Sequence, residues 1–126
     1  MGRTVLFVCP HGAGKSRIAA AWFARAAPPG WAVTTAGLEP QPQVSVHAPR
    51  LLAGSGVEHL LDEELPRPLS AITDPALTVT IDCPPGAVAG AVEWRLHHPD
   101  FDERMAAELR DRARELAREL AREPDA

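Results

Sequence analysis

Apolar residues come in two kinds of run along this chain, short unbroken ones and one long periodic one. The unbroken runs, Thr4 to Val8 and Ala76 to Ile81, alternate too little for half-exposed strands and predict buried parallel strands. Trp31 to Thr35 predicts another strand, and Val92 to Leu96 a fourth, its pattern interrupted by Glu93 and Arg95. The periodic run is Asp102 to Arg122, where Met105, Leu109, Ala113, Leu116 and Leu120 form a stripe at helical spacing. Its opposite face pairs Glu108 with Arg112, Asp111 with Arg114, Glu115 with Arg118 and Glu119 with Arg122. The stripe spans under three heptads, so docking on a sheet is favoured over a coiled coil.

Between these runs lie shorter elements. Ser16 to Ala26 predicts an Ala-rich helix with Ile18, Ala19, Trp22, Phe23 and Ala26 on one face, stopped by Pro28-Pro29-Gly30. Ser45 is placed to cap a helix through Leu52, with Pro49 in its first turn and Gly54 and Gly56 beyond its end. Val57 to Leu61 reads as extended or irregular, and Leu65 to Ala71 as a short helix after Pro66. Strands alternating with helices imply an α/β fold with a parallel sheet. Ligands in such sheets bind beyond the carboxyl ends of the strands. The turns at Cys9, Ala36-Gly37, Cys83 and His98 all fall there.

Composition narrows the class. A chain of 126 residues is expected to form one domain, residues 1–126, with a real core. The net charge of -4 comes from interspersed acids and bases, which gives no footprint for nucleic acid. No apolar run approaches the roughly 20 residues of a membrane span, and Met1 to Val8 lacks the pattern of a signal peptide, so the expectation is a cytoplasmic protein. Cys9 and Cys83 are too few for a disulfide framework and read as free thiols. Lys15 is the only lysine among 13 basic residues. No cofactor or metal is implied: His97 and His98 have no ligand spacing around them and read as loop residues, and His47 and His59 as structural ones.

The chemistry concentrates in VLFVCPHGAGKSRIAAAWF, Val5 to Phe23: a strand, a loop opened by Cys9, then a helix. This arrangement aims backbone N–H groups and the positive end of the helix dipole at one point, an anion site. Taken alone, a cysteine at a strand end is a small buried hydrophobe. A helix N-terminus beside it favours the thiolate and makes Cys9 a candidate nucleophile. The residues leave two readings open. CPHGAGKS departs from the nucleotide-binding pattern G-x-x-x-x-G-K-[ST] only in having Cys9 for the first glycine, with Asp82 as a candidate magnesium partner. Losing that glycine weakens the turn that wraps a phosphate. The other reading counts Cys9, five residues, then Lys15 and Ser16, the layout of a thiol phosphatase loop with lysine in place of arginine.

The segment resembles the low-molecular-weight protein tyrosine phosphatase family, and more closely its arsenate reductase branch, whose pattern is VLFVC-x-H-N-A-G-R-S. His11, Ala13, Gly14 and Ser16 match, while Gly12 replaces Asn and Lys15 replaces Arg. TTAGLEPQPQVSVHAPRLLAGSGV, ALTVTIDC and EWRLHHP follow in the family's order, so the resemblance covers nearly the whole chain. It implies a three-layer α/β fold, a four-stranded parallel sheet flanked by helices, with an oxyanion held by Pro10, His11, Gly12, Ala13 and Gly14 against Cys9. In the phosphatases the thiolate attacks phosphorus, an arginine clamps the oxygens and an aspartic acid before proline protonates the leaving group. In the reductases the loop holds arsenate, and further thiols, in the protein or outside it, carry the electrons.

The implied roles are Cys9 as nucleophile, Ser16 as donor to the thiolate, Lys15 as oxyanion clamp, His98 as acid and Cys83 as candidate resolving thiol. The implied partners are phosphate, arsenate or a phosphoryl ester, with an external thiol or redox protein. Lys15 loses the bidentate fork of arginine, a cost of about 10- to 100-fold if one charge-assisted hydrogen bond is lost. His98 stands where the acid is expected, and losing a general acid removes about 100- to 10,000-fold; Asp100 lies two residues on. These departures leave a non-catalytic oxyanion-binding module as the competing class.

Overall fold

The computed structural model describes residues 2–123. Its strands are β1 (Arg3–Cys9), β2 (Trp31–Gly37), β3 (Leu77–Ile81) and β4 (Val92–Trp94), and its α-helices α1 (Lys15–Ala26), α2 (His47–Leu52) and α3 (Glu103–Arg122). The strands form a 4-stranded sheet in the order β2-β1-β3-β4, every pair parallel. The α/β class and the parallel sheet flanked by helices expected from the sequence are therefore present. The chain leaves β1 toward one side of the sheet and later crosses to the other, so the carboxyl end of β1 is the switch point where such sheets bind ligands. Cys9 is its last residue, in register with Gly37 at the end of β2.

Side chains alternate across β1, as strand geometry requires. Val5, Phe7 and Cys9 enter a large core with Ile18 and Phe23 of α1, Leu52 of α2 and Met105 and Leu109 of α3. Leu6 and Val8 enter a smaller one with Ala36 and Cys83, covered by Leu38, Leu69 and Ile72. The five stripe residues of α3 are all buried, and Met105, Leu109, Leu116 and Leu120 each contribute about 1.5–3 kcal/mol. α1 is buried on nearly every side from Ser16 to Phe23, and its alanines let it sit close to the sheet and α3.

Several local expectations change. Ala26 is exposed, because α1 emerges from the core in its last turn. α2 is capped at Val46 rather than Ser45; Ser45 Oγ still accepts the His47 N–H, at 3.1 Å. The helix expected over Leu65 to Ala71 shrinks to a 3-10 turn at Leu69–Ala71, since Pro66 and Pro68 supply no N–H groups. Val57 to Leu61 contains a 3-10 turn at Glu58–Leu60. β4 ends at Trp94 because the Leu96 N–H leaves the ladder for Asp82 Oδ1, 2.9 Å away. Asp102 caps α3, accepting from the N–H groups of Arg104 and Met105 at 3.0 and 3.1 Å. On the outer face of α3, Glu108–Arg112 and Glu115–Arg118 form as expected. Arg114 instead stacks over Trp22, Asp111 pairs with Arg110, and Arg122 reaches Glu115. Among the described residues no helix is long and apolar enough to cross a membrane.

Candidate active site

The site is built by two stretches, the Cys9 loop and the Pro-rich segment after β2. Every carbonyl from Cys9 to Gly14 is turned into a hydrogen bond with its surroundings. Cys9, Pro10, His11 and Ala13 accept from the N–H groups of Leu38, Glu39, Gln41 and Ser45. Gly12 accepts from Arg17 Nε at 2.9 Å, and Gly14 from the N–H groups of Arg17 and Ile18. By contrast, among the described residues no N–H of residues 11–16 is bound to an acceptor. With the carbonyls tied away, the loop's free polar groups are N–H donors at the start of α1. That is the polarity of an anion nest.

The wrapping needs two glycines. Gly12 has φ +66°, and a Cβ there would lie 2.7 Å from the Gly37 nitrogen. A Cβ on Gly37 would lie 2.6 Å from the Gly12 nitrogen, so the Cys9 loop and the end of β2 meet backbone to backbone. Gly14 is covered by the Phe101 ring, which a Cβ would meet at 2.6 Å.

Cys9 is buried, and its Sγ lies 3.1 Å from Ser16 Oγ in the first turn of α1. Above it opens a cavity of about 520 Å³ lined by Cys9, Pro10, His11, Ala13, Gly14 and Lys15, with His47 and Phe101 on the rim. Four of the five loop residues read from the sequence line it; Gly12 instead holds the turn from behind. His11 Nδ1 lies 3.3 Å from the Glu39 carbonyl oxygen. Lys15 Nζ donates to Asp82 Oδ2 at 2.7 Å. The magnesium role weighed for Asp82 meets a carboxylate already engaged by Lys15 and the Leu96 N–H.

Beneath the loop lies Arg17, which the sequence reading passed over. Its guanidinium is 1% exposed. Nε holds the Gly12 carbonyl and Nη1 donates to the Asp62 carbonyl oxygen at 2.6 Å, with the Asp62 carboxylate 3.8 Å away. Nη2 is buried with no partner among the described residues. Burial lowers the Arg17 pKa, against the raising effect of Asp62. Asp62 is also pushed up by burial, but the Arg67 hydrogen bond, the Glu64 N–H and both arginine charges outweigh this and leave its carboxyl below the usual value. A lone arginine on the buried side of an Ala-rich helix was the available signal.

One expected site residue, His98, does not line the Cys9 cavity. His98 lines a separate cavity with Glu108, Arg104 and Arg112, because Glu108 of α3 accepts the N–H groups of His97 and His98 at 3.0 and 2.9 Å and holds that turn over the helix. Asp100 is exposed and lines neither cavity. Cys83 lies in the core of Leu6 and Val8, with its Sγ 3.6 Å from the Val8 carbonyl oxygen. Burial, then the nearby Cys9, raise its thiol pKa. Among the described residues no group of three or more His, Cys, Asp or Glu is placed to hold a metal.

No protein-family model matches the chain, and no curated protein matches it. Solved structures do. An arsenate reductase from Archaeoglobus fulgidus superposes with a TM-score of 0.71 and 29% identity, over 90% of this chain and 98% of that one. The structural neighbours of this chain include arsenate reductases and low-molecular-weight protein tyrosine phosphatases. A thioredoxin-dependent arsenate reductase from Corynebacterium glutamicum matches with 26% identity and a TM-score of 0.70, over 94% of this chain and 62% of that one. A low-molecular-weight protein tyrosine phosphatase from Bacillus subtilis shares the fold, with a TM-score of 0.73 at 19% identity, over 93% of this chain and 96% of that one. The resemblance carried by VLFVCPHGAGKS is thereby borne out in the fold. The arsenate reductases at 29% and 26% identity are enzymes, and as neighbours they support thiol-based oxyanion chemistry at the family level; they lend no support to a non-catalytic module.

Proposed function

We propose that this protein is an arsenate reductase that works through Cys9 with an external thiol. The observation that carries the reading is the polarity of the loop, six carbonyls engaged in hydrogen bonds and the N–H groups of residues 11–16 without an acceptor among the described residues. A tetrahedral oxyanion satisfies those donors. The Ser16 hydroxyl, 3.1 Å from the Cys9 sulfur, is placed to donate to that sulfur during attack. The thiolate forms a bond to arsenic, and one arsenate oxygen leaves as water after taking up protons. An incoming thiolate then attacks the Cys9 sulfur. The S–As electron pair stays on arsenic, which departs as arsenite while a disulfide forms between Cys9 and the attacking thiol. A second external thiol reduces that disulfide.

Two placements favour reduction by an outside thiol over phosphoester hydrolysis. His98 faces another cavity, which leaves an alkoxide or phenoxide leaving group without the acid expected for it. Cys83 packs in the core of Leu6 and Val8 with its thiol pKa raised by burial, which disfavours it as the resolving thiolate. A neighbour described as thioredoxin-dependent agrees with electrons arriving from outside.

The test is arsenite production from arsenate with a dithiol or thioredoxin system as reductant. The reading expects turnover in the natural protein and in Cys83→Ser, and none in Cys9→Ser. Arsenite formation that survives Cys9→Ser would contradict it. Hydrolysis of p-nitrophenyl phosphate without arsenite formation would move the function to phosphatase.

A further inference from the structure

We infer that Asp82 determines which oxyanions the site accepts, by sharing Lys15 with the bound ligand and thereby favouring singly charged oxyanions over doubly charged ones. The inference rests on the proposed oxyanion site at Cys9. Lys15 is the one lysine of the chain and lines the cavity above Cys9, with its side chain 12% exposed. Its ammonium is already bound to a carboxylate at 2.7 Å. Asp82 is held in place from two directions, since its backbone N–H donates to the Trp94 carbonyl and its Oδ1 accepts the Leu96 N–H at 2.9 Å. It has φ +51°, a conformation that Asp and Asn tolerate better than other side chains. Asp82 thus cannot follow Lys15 into the cavity.

The charge balance follows. Asp82 neutralises the clamp, so the loop's N–H groups and the α1 dipole are the net attraction left for a ligand. An oxyanion that reaches Lys15 brings its negative charge near a fixed carboxylate, and the opposing Coulomb energy grows with the ligand's charge. The other groups around Asp82 do not cancel it: Arg95 lines the adjoining cavity of about 430 Å³ together with Glu39, His11 and Cys83, and Arg95 and Glu39 carry opposite signs. Dihydrogen arsenate and dihydrogen phosphate meet this penalty once. Sulfate and a fully ionised phosphomonoester meet it twice. A carboxylate placed against the wrong ligand is a familiar route to specificity.

The test measures protection of Cys9 from iodoacetamide, followed at the Cys9 peptide by mass spectrometry, by inorganic phosphate and by sulfate. It is run at constant ionic strength and about pH 6, where phosphate is mostly singly charged and sulfate doubly. In the natural protein phosphate should protect at concentrations at least about tenfold lower than sulfate, the effect of a like charge at close range. Asp82→Asn keeps an acceptor for the Leu96 N–H and the tolerated backbone, and should narrow that gap by tightening sulfate. Lys15→Met leaves Asp82 unshared and should widen it. A gap unchanged in both variants, or equal weakening of both anions in Asp82→Asn, overturns the inference while leaving the Cys9 site standing. Protection by neither anion in any of the three proteins overturns both.

Discussion

At the residue scale the loop depends on one buried cation. Arg17 holds the Gly12 carbonyl and meets Asp62, so it fixes the peptide that turns the loop over Cys9. Arg17→Met should cost about 1–3 kcal/mol in urea unfolding, the penalty for leaving the buried Gly12 carbonyl without its donor, while Arg67 still holds Asp62. A loss below the noise of the measurement would mean the guanidinium contributes nothing net. The two thiols should also separate. Both thiols are buried, but the Cys83 pKa is raised, so at neutral pH iodoacetamide should modify Cys9 before Cys83. Equal rates by peptide mass spectrometry would contradict the assigned geometry. Cys9, Ser16 and the loop were legible because a thiol at a strand end, a Gly-containing turn and a helix start lie within one short stretch. Arg17, Asp62 and Asp82 were not, since their meaning lies in partners 45 and 67 positions away. His98 lines another cavity for the same kind of reason, as Glu108, ten positions on, holds its turn.

Among the elements, α3 was the plainest in the sequence and gives a clean check. Its N-cap is a carboxylate accepting two N–H groups, and Asp102→Ala should cost about 0.5–2 kcal/mol without touching the Cys9 cavity. Leu109→Ala, at a fully buried stripe position, should cost about 2–5 kcal/mol. If the cap substitution proved costlier than the core one, the stripe would not be the main attachment of α3. Periodicity reveals helices and strands whose partners are the sheet itself. It misjudged Leu65 to Ala71 and the end of β4, where prolines and an aspartate side chain replace the regular backbone bonds.

For the whole molecule, stability should depend on acid through two carboxylates. Asp62 and Glu108 both start with burial pushing them up. Hydrogen bonds and arginine charges outweigh it, from Arg67 for Asp62 and from the His97 and His98 N–H groups and Arg112 for Glu108. Their folded values lie below the unfolded ones, so each contributes stability that is full above about pH 5 and is lost as pH falls through the depressed values, below about pH 4. Urea midpoints should fall over that window, and less steeply in Glu108→Gln; an identical slope in the variant would remove Glu108 from the account. The α/β class followed from the alternation of strand and helix patterns. Which face each helix takes did not, because it is decided by contacts between distant stretches, as where residues 38–45 close around the Cys9 loop.

The central claim, that free N–H groups of the Cys9 loop bind an oxyanion, is tested most directly by titrating arsenate into the isotope-labelled protein and following backbone amide resonances. The account predicts saturable shifts at the amides of residues 11–16, absent or small elsewhere. Shifts confined to the His98–Glu108 cavity, or none at the loop at saturating arsenate, would contradict it.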